Sequence, residues 1–572
     1  MFHNRMTGSE AIIESLLAEG ADTIFGYPGG QIMPVFDKMY DYQDRLRHIL
    51  VRHEQGAVHA AQGFARACGK TGVVVVTSGP GATNVITGIA DAMVDSTPLV
   101  VITGQVSNAL LGKDAFQETD VVGITLPITK WSYQIRRPED VAWAIAKAFY
   151  IARSGRPGPV VLDITKDAQV GTLEQFKYEP CNFIRSYIPV PTVQKSKIQE
   201  AAKMLQEAKK PLVVYGQGVI LANAEEELMA LCNKAGIPAA STLLGLSALP
   251  SDFKHYKGML GMHGNIGPNI KTNEADVILA VGMRFDDRVT GKVDTYAKQA
   301  KIIHIDIDAA EIGKIIPVDL GIHADAKEAL NLLSILVPEA EHDVWEAEFD
   351  KCYETEYSKV IAPEIEPGKG DVNMGEVINV VAEVSKRSAI VVTDVGQNQM
   401  MGARYSQFNQ TRSMITSGGL GTMGFGLPAA IGAKIACPDR AVCYFGGDGG
   451  VQMTIQEFGT IMQEKVGVKV IILNNNWLGN VRQWQELFFG ARYSQTRMIN
   501  PDYMKIAEAY GFAHKRVTTR EELRSAVEEM LSNDEPYILE ACIVEEGMVF
   551  PMIPPGKGVT DIMLNAKEWY QI

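Results

Sequence analysis

At 572 residues the chain exceeds a single hydrophobic core, and a prior of roughly one domain per ~150 residues predicts three or four. Hydrophobic residues at 46% and charged residues at 21% are ordinary for a soluble globular protein, and no apolar run reaches the ~20 residues that span a bilayer. A net charge of −14 and a pI near 5.3 exclude nucleic acid as a partner, because that affinity comes from Lys and Arg neutralising phosphates. Met1 to Glu10 has neither an apolar signal core nor Arg/Ser-rich transit character, so a cytoplasmic location is expected. Seven cysteines (Cys68, Cys181, Cys232, Cys352, Cys437, Cys443, Cys542) lack C-x-x-C pairing and read as buried small apolar residues.

Short Val/Ile-rich runs recur along the chain, each ending in Gly, Asp, Asn or Ser and mostly followed by a helix-like stretch. They are 73–76, 99–103 and 160–164 in the first third, then 212–215, 277–281 and 302–305 in the middle. The last third holds 390–393, 442–445, 468–473 and 537–543. Continuous apolar strands separated by helices predict parallel sheets covered on both faces, with ligands at the strands' carboxyl ends. The expected fold is α/β, with three doubly wound parallel-sheet domains. Irregular, Pro-bearing stretches near 170–195 and 340–372 read as linkers, giving domains at 1–170, 190–345 and 372–550 and a tail at 551–572. The prolines after Phe550 exclude regular structure in that tail.

The last domain carries the strongest local signal. The run 442–445 leads into Gly446-Gly447-Asp448-Gly449-Gly450, with a helix-like stretch from about Thr454, and the run 468–473 ends at Asn474-Asn475-Asn476. Asp448 and Asn475 lie 27 positions apart, the length of one strand–helix–strand crossover, so adjacent strand ends can bring both side chains together. A carboxylate, an amide oxygen and a loop carbonyl suit a hard cation such as Mg²⁺ that also holds phosphate oxygens. Each motif alone is an ordinary turn; together, at two strand ends, they read as a diphosphate and metal site. Upstream, the Gly-rich run from Ser417 to Gly426, followed by Pro428, reads as a loop entering a helix, either a phosphate cradle or a tight helix contact. Asp394-Val395-Gly396-Gln397-Asn398 ends another strand and would line the same rim.

Gly447-Asp448-Gly449 with Asn474-Asn475 resembles the thiamine-diphosphate signature, and Val51-Arg52-His53-Glu54-Gln55 with the 77–84 loop resembles its N-terminal counterpart. Asp114-Ala115-Phe116-Gln117-Glu118, Ser154-Gly155-Arg156-Pro157-Gly158-Pro159, the run from Gly282 to Arg288, and Val481-Arg482-Gln483-Trp484 are similar to the catalytic subunits of the acetohydroxyacid (acetolactate) synthase family. The similarity runs from about Thr7 to about Pro554. It implies pyrimidine-binding, FAD-binding and diphosphate-binding domains in that order. It also implies a site between the first domain of one subunit and the third of its partner, hence a homodimer or dimer of dimers, with a small regulatory subunit as a further partner.

The resemblance implies thiamine diphosphate, Mg²⁺ and FAD as cofactors, and a reaction in which pyruvate loses carbon dioxide and its hydroxyethyl unit joins a second pyruvate or 2-oxobutanoate. It assigns catalysis to Glu54, which would act on the aminopyrimidine ring, with Gln117 and Lys166. Thiamine diphosphate would be held by Glu54, Gln397, Asn398, Gly421, Met423, Asp448, Gly449, Gly450, Asn475 and Gly479. The metal would sit on Asp448, Asn475 and the main-chain oxygen of Trp477. FAD would be held by Arg156, Gly218, Leu260, Gly261, Met262, His263, Gly282, Arg284, Asp286, Asp306 and Asp325, around the partial fingerprint Gly216-Gln217-Gly218. Phe116, Arg288, Val481 and Trp484 would line the substrate channel, Arg288 either as a carboxylate clamp or in an ion pair with Asp286 or Asp287. Two positions depart from the family: Asn398 stands where His is common, and Gly450 where Ser is frequent.

Overall fold

The computed structural model describes residues 2–3 and 5–571. Three six-stranded sheets follow one another along the chain, and every strand pair within them is parallel. The first contains β1 (Thr23–Gly26), β2 (Arg47–Leu50), β3 (Gly72–Val76), β4 (Leu99–Gln105), β5 (Trp131–Ile135) and β6 (Pro159–Thr165), in the order β2-β1-β3-β4-β6-β5. The second contains β7 (Pro211–Tyr215), β8 (Ala239–Ser241), β9 (Tyr256–Met259), β10 (Val277–Val281), β11 (Lys301–Asp306) and β12 (Leu320–His323), in the order β9-β8-β7-β10-β11-β12. The third contains β13 (Ile390–Thr393), β14 (Met414–Ile415), β15 (Val442–Gly447), β16 (Val468–Asn474), β17 (Ala513–Val517) and β18 (Tyr537–Cys542), in the order β14-β13-β15-β16-β18-β17. The first and third sheets thus share one topology. The second reads outward from β7 in both directions, the order of dinucleotide-binding folds, and its strand order reverses between β7 and β10.

The Val/Ile runs all lie in strands, save that the run 537–543 passes one residue beyond β18, and β3, β4, β6, β7 and β10 are buried along their whole length. The strands that the apolar runs do not reveal include all six sheet edges, β2, β5, β9, β12, β14 and β17, together with the short β1 and β8. An edge strand leaves residues open to water, as in Ala513–Val517 where only Val517 is buried, so its composition carries no continuous apolar signal.

The first and third sheets are joined through one helix pair, Glu54–Cys68 and Gly426–Ala436. A Cβ on Gly63 would overlap the carbonyl of Ala429, and one on Gly432 would overlap the carbonyl of Ala60. The helices therefore meet backbone to backbone, and only glycine fits at those two crossing points. Just ahead of the first helix, the buried Glu457 carboxylate accepts the Arg52 N–H at 3.2 and 3.3 Å from its two oxygens.

Two stretches differ from their reading as linkers. Residues 340–372 are mostly helical: Asp343–Glu356 continues through 357–361 into Ala362–Ile365. Trp345, Phe349 and Cys352 recur at helical spacing and bury against the second sheet's core, which outweighs the acidic composition. Residues 170–195 are largely irregular, but Thr172–Leu173 and Phe176–Lys177 pair antiparallel with Met6–Thr7 and Phe2–His3. Among the described residues after Phe550 there is no helix or extended strand, as expected, yet the tail is pinned to the second domain: Ile553 N–H donates to Met262 O at 2.8 Å and Lys292 N–H to Lys557 O at 2.9 Å. Cys232, Cys352 and Cys443 are buried as expected, whereas Cys68, Cys181, Cys437 and Cys542 are only half-buried; all seven are free. Among the described residues no helix is long and apolar enough to cross a membrane.

Replacing Gly432 by Val will force the helix pair apart. A loss of about 3 kcal/mol or more is expected in denaturant titrations followed by circular dichroism, as for other overpacked contacts.

Candidate active site

Strand β15 runs directly into a short helix, Asp448–Met453, ahead of the helical stretch expected from about Thr454, which is present as Ile455–Glu457 and Phe458–Glu464. Asp448 is 1% exposed, and burial pushes its carboxyl up to about 6. Its oxygens are met by amides: Asn500 Nδ2 donates to Oδ2 at 2.6 Å and Gly449 N–H to Oδ1 at 3.1 Å. On the neighbouring strand β16, Asn474 Oδ1 accepts from Asn500 Nδ2 at 3.0 Å, Asn475 Oδ1 accepts the Trp477 N–H at 3.1 Å, and Asn476 turns the chain at φ 58°. The helix Gly479–Phe488 follows. A side chain on Gly479 would overlap Gln397 Oε1 and lie 2.8 Å from Asn475 Nδ2, so Gln397, Asn475 and Gly479 converge. Gln397 opens a third helix, Gln397–Tyr405, after β13.

Three helix starts therefore converge at the carboxyl ends of β13, β15 and β16, and the positive ends of their dipoles suit a diphosphate. Met423 Cε lies 3.2 Å from where a Gly449 side chain would begin, which places the Gly-rich loop against the Asp448 turn. A side chain on Gly450 would come within 3.0 Å of the Asp394 carboxylate, a physical reason for glycine there. Asn398 is buried and donates from Nδ2 to Phe445 O at 3.0 Å, so one amide hydrogen is already engaged by the strand end. Among the described residues no group of three His, Cys, Asp or Glu could hold a metal. The donors at this turn are one carboxylate, side-chain amides and peptide carbonyls, and Asp448 is met by amide hydrogens. That oxygen set fits Mg²⁺ rather than zinc.

The first-domain candidates lie elsewhere. Glu54 is the first residue of its helix, half-buried, and accepts from Asn84 Nδ2 at 2.9 Å. Gln117 adopts φ 61°, and its Cβ lies 2.9 Å from where a Gly79 side chain would begin. The loop is held by Glu118, whose carboxylate accepts the N–H groups of Gly112 and, at 2.9 Å, Ala115; Phe116 is 84% exposed at its tip. Lys166, at the end of β6, donates to Gly30 O at 2.9 Å, and partial burial lowers its pKa. None of Glu54, Phe116, Gln117 and Lys166 lines the large cavity of this chain, and neither does Val481.

That cavity, about 850 Å³, opens where the second domain meets the first and the third, a volume suited to a large cofactor. All eleven residues proposed for FAD line it: Arg156, Gly218, Leu260, Gly261, Met262, His263, Gly282, Arg284, Asp286, Asp306 and Asp325. Its floor is the point where the second sheet reverses order. There Gly218 and Gly282 approach so closely that a Cβ on Gly218 would sit 2.5 Å from the Gly282 Cα. Asp325 caps the helix Ala326–Leu336 by accepting from the Lys327 N–H at 2.9 Å. Burial pushes Asp306, at the end of β11, up to about 7, and pushes His263 down to about 3. Arg156 Nη1 bridges Asp308 at 3.2 Å and Glu311 at 2.7 Å on the cavity rim. Gly421, Arg288 and Trp484 also reach the cavity. Arg288 pairs with Asp287 at 3.6 Å, and the Trp484 ring packs 5.5 Å from that of Phe488.

Sequence reasoning missed Asn500, whose only local mark is Asn-Pro-Asp ahead of a helix, and Gln483, which accepts from Gln397 Nε2 at 2.9 Å. It also missed Arg404, whose fully buried pair with Glu356 (2.6 Å) ties the third domain to the cavity loop through the carbonyls of His263 and Gly264.

Comparison with protein families matches residues 6–124 to the thiamine pyrophosphate enzyme N-terminal TPP binding domain, 198–333 to the central domain and 394–541 to the C-terminal TPP binding domain. The acetolactate synthase large subunit of Corynebacterium glutamicum is 44% identical over 576 aligned positions, covering 98% of this chain and 90% of that protein. The chain belongs to the acetolactate synthase large-subunit family. Two further relatives agree: the large subunit from Lactococcus lactis (44% identical, 96% of this chain and 95% of that protein) and the isozyme 2 large subunit from Escherichia coli (42%, 98% and 99%). In the frame of the acetolactate synthase large-subunit family, Glu54 and Gln117 fall in the N-terminal match, and Gln397, Asp448 and Asn475 in the C-terminal one.

Asn500→Ala removes the amide hydrogen from Asp448 Oδ2. Loss of a hydrogen bond to a charged group is worth about 1.5–3 kcal/mol, so Mg²⁺-dependent thiamine diphosphate binding, read by calorimetry, is expected to weaken roughly ten- to a hundredfold.

Proposed function

We propose that this chain is the catalytic subunit of an acetolactate synthase. It decarboxylates pyruvate and joins the hydroxyethyl unit to a second pyruvate, giving 2-acetolactate, or to 2-oxobutanoate, giving 2-aceto-2-hydroxybutyrate, the first common step of branched-chain amino-acid biosynthesis. The observation that carries this reading is the convergence of Gln397, Asp448, Asn475 and Gly479 at three strand ends in a chain similar end to end to acetolactate synthase large subunits.

Thiamine diphosphate, when bound, supplies the carbon nucleophile and electron sink that decarboxylation of a 2-oxo acid requires. Asp448, Asn475 and the carbonyl of Trp477 would hold Mg²⁺ on its diphosphate. Gln397, Asn398, Gly449, Gly450 and Gly479 would offer that group N–H donors and close backbone approach. Met423 and Gly421 would support the ring from the Gly-rich loop, and Glu54 would hold a proton at a ring nitrogen of the pyrimidine. Arg288 would orient a substrate carboxylate, exchanging its pair with Asp287 for the substrate. Trp484 would contact the extra methyl of 2-oxobutanoate, a discrimination of roughly 1–3 kcal/mol.

The presence of all eleven FAD candidates in the cavity wall supports FAD. Joining two 2-oxo acids with loss of carbon dioxide involves no net oxidation, so the flavin's role would be structural. Because Glu54, Phe116, Gln117 and Lys166 lie away from the cavity, a second copy of the chain would complete the site, making a homodimer the minimum and a dimer of dimers possible by further pairing. The relatives' designation as large subunits supports a small regulatory partner.

Incubation of the purified protein, expected to be yellow, with pyruvate, thiamine diphosphate and Mg²⁺ should yield acetolactate. Glu54→Gln should lower the rate roughly a hundredfold or more. Acetaldehyde, or acetyl phosphate with peroxide, would overturn the carboligase assignment and keep the cofactor. In competition between acceptors, Trp484→Leu should shift the products toward 2-acetolactate; an unchanged ratio would remove Trp484 from acceptor choice.

A further inference from the structure

The Gly-rich loop from Ser417 to Gly424 carries Gly421 and Met423 yet belongs to no helix or strand, so its shape depends on what its polar groups meet. Much of what they meet belongs to the first domain. The Asp95 carboxylate accepts the N–H groups of Gly418 at 2.8 Å and Gly419 at 2.7 Å. Asp91 Oδ1 accepts the Ser417 hydroxyl and, at 3.0 Å, the Thr422 hydroxyl; Ser417 Oγ in turn accepts the Thr422 N–H at 2.8 Å. Both carboxylates are at most 1% exposed, and Arg66 pairs with Asp95 alone, donating to it at 2.8 Å and also to Thr416 O.

Asp91 lies in the last turn of the helix Ile86–Val94 and Asp95 caps its carboxyl end, where the helix dipole disfavours negative charge. Neither local propensity nor solvent explains two acids there; the loop's donors do. Once the loop shifts, buried Asp91 loses the Ser417 and Thr422 hydroxyls and buried Asp95 keeps only Arg66, which is costly.

We propose that Asp91 and Asp95 are positioning residues for thiamine diphosphate: from the first domain they hold the 417–424 loop in the shape that receives the cofactor, touching neither cofactor nor substrate. This rests on the function proposed above. The step is mechanical and involves no bond making.

The test is calorimetric titration of thiamine diphosphate with Mg²⁺ into the full-length protein. Asp95→Asn weakens the two backbone contacts, and the milder Ser417→Ala keeps both carboxylates. Each is expected to raise the dissociation constant for thiamine diphosphate at least tenfold, with flavin content and kcat at saturating cofactor within about threefold of the unsubstituted chain. Thr422→Ser, which retains the hydroxyl, should stay within twofold. If Asp95→Asn does not fold, Ser417→Ala decides alone. Affinity within twofold of the unsubstituted chain in the folded variants overturns the proposal. An unsubstituted chain that binds no thiamine diphosphate overturns the function itself, and the positioning role with it.

Discussion

The backbone contact between the helices Glu54–Cys68 and Gly426–Ala436 sets the distance between the first and third sheets, and most of what matters in this molecule hangs on that distance. With glycine at 63 and 432 the helix axes approach until carbonyl groups fill the space where side chains would stand. Only at that separation can the Glu457 carboxylate reach the Arg52 N–H, and only there do Asp91 and Asp95 meet the 417–424 loop. Small residues at a helix crossing and buried carboxylates on backbone donors are complementary: the first sets proximity, the second sets register.

The second domain is attached differently. Its cavity borrows walls from both neighbours: Ser96 and Arg156 from the first, the Gly-rich loop and Trp484 from the third. Ser96 Oγ accepts from Arg156 Nε at 2.9 Å, one residue after Asp95. The segment 91–96 therefore touches the cavity on one side and the loop bearing Met423 on the other. Large cofactors commonly sit at such junctions, where no single domain could enclose them.

Much of this was legible in the residues, and what was not has a common cause. Strands buried on both faces announce themselves as Val/Ile runs, whereas the six edge strands are half-solvated and mixed in composition. Residues at strand ends, such as Asp448 and Asn475, stood out because their chemistry is unusual for the position and their spacing fits one crossover. Asn500 and Asp95 did not, since an amide after a turn and an acid at a helix end mean nothing until the chain brings Asp448 or Gly418 against them. The stretch 340–372 misled through composition: its acids and prolines suggest a tether, while the sparse apolar residues Trp345, Phe349 and Cys352 decide the structure.

The tail beyond Phe550 fastens to Met262, His263 and Lys292, loops that belong to the middle of the chain and line or adjoin the cavity. During synthesis domains fold in order from the amino terminus, so the second domain exists well before the residues that secure its loops have been made. The shape of the cavity is thereby tied to completion of the polypeptide: a chain released early from the ribosome carries an intact central sheet and an unfastened pocket.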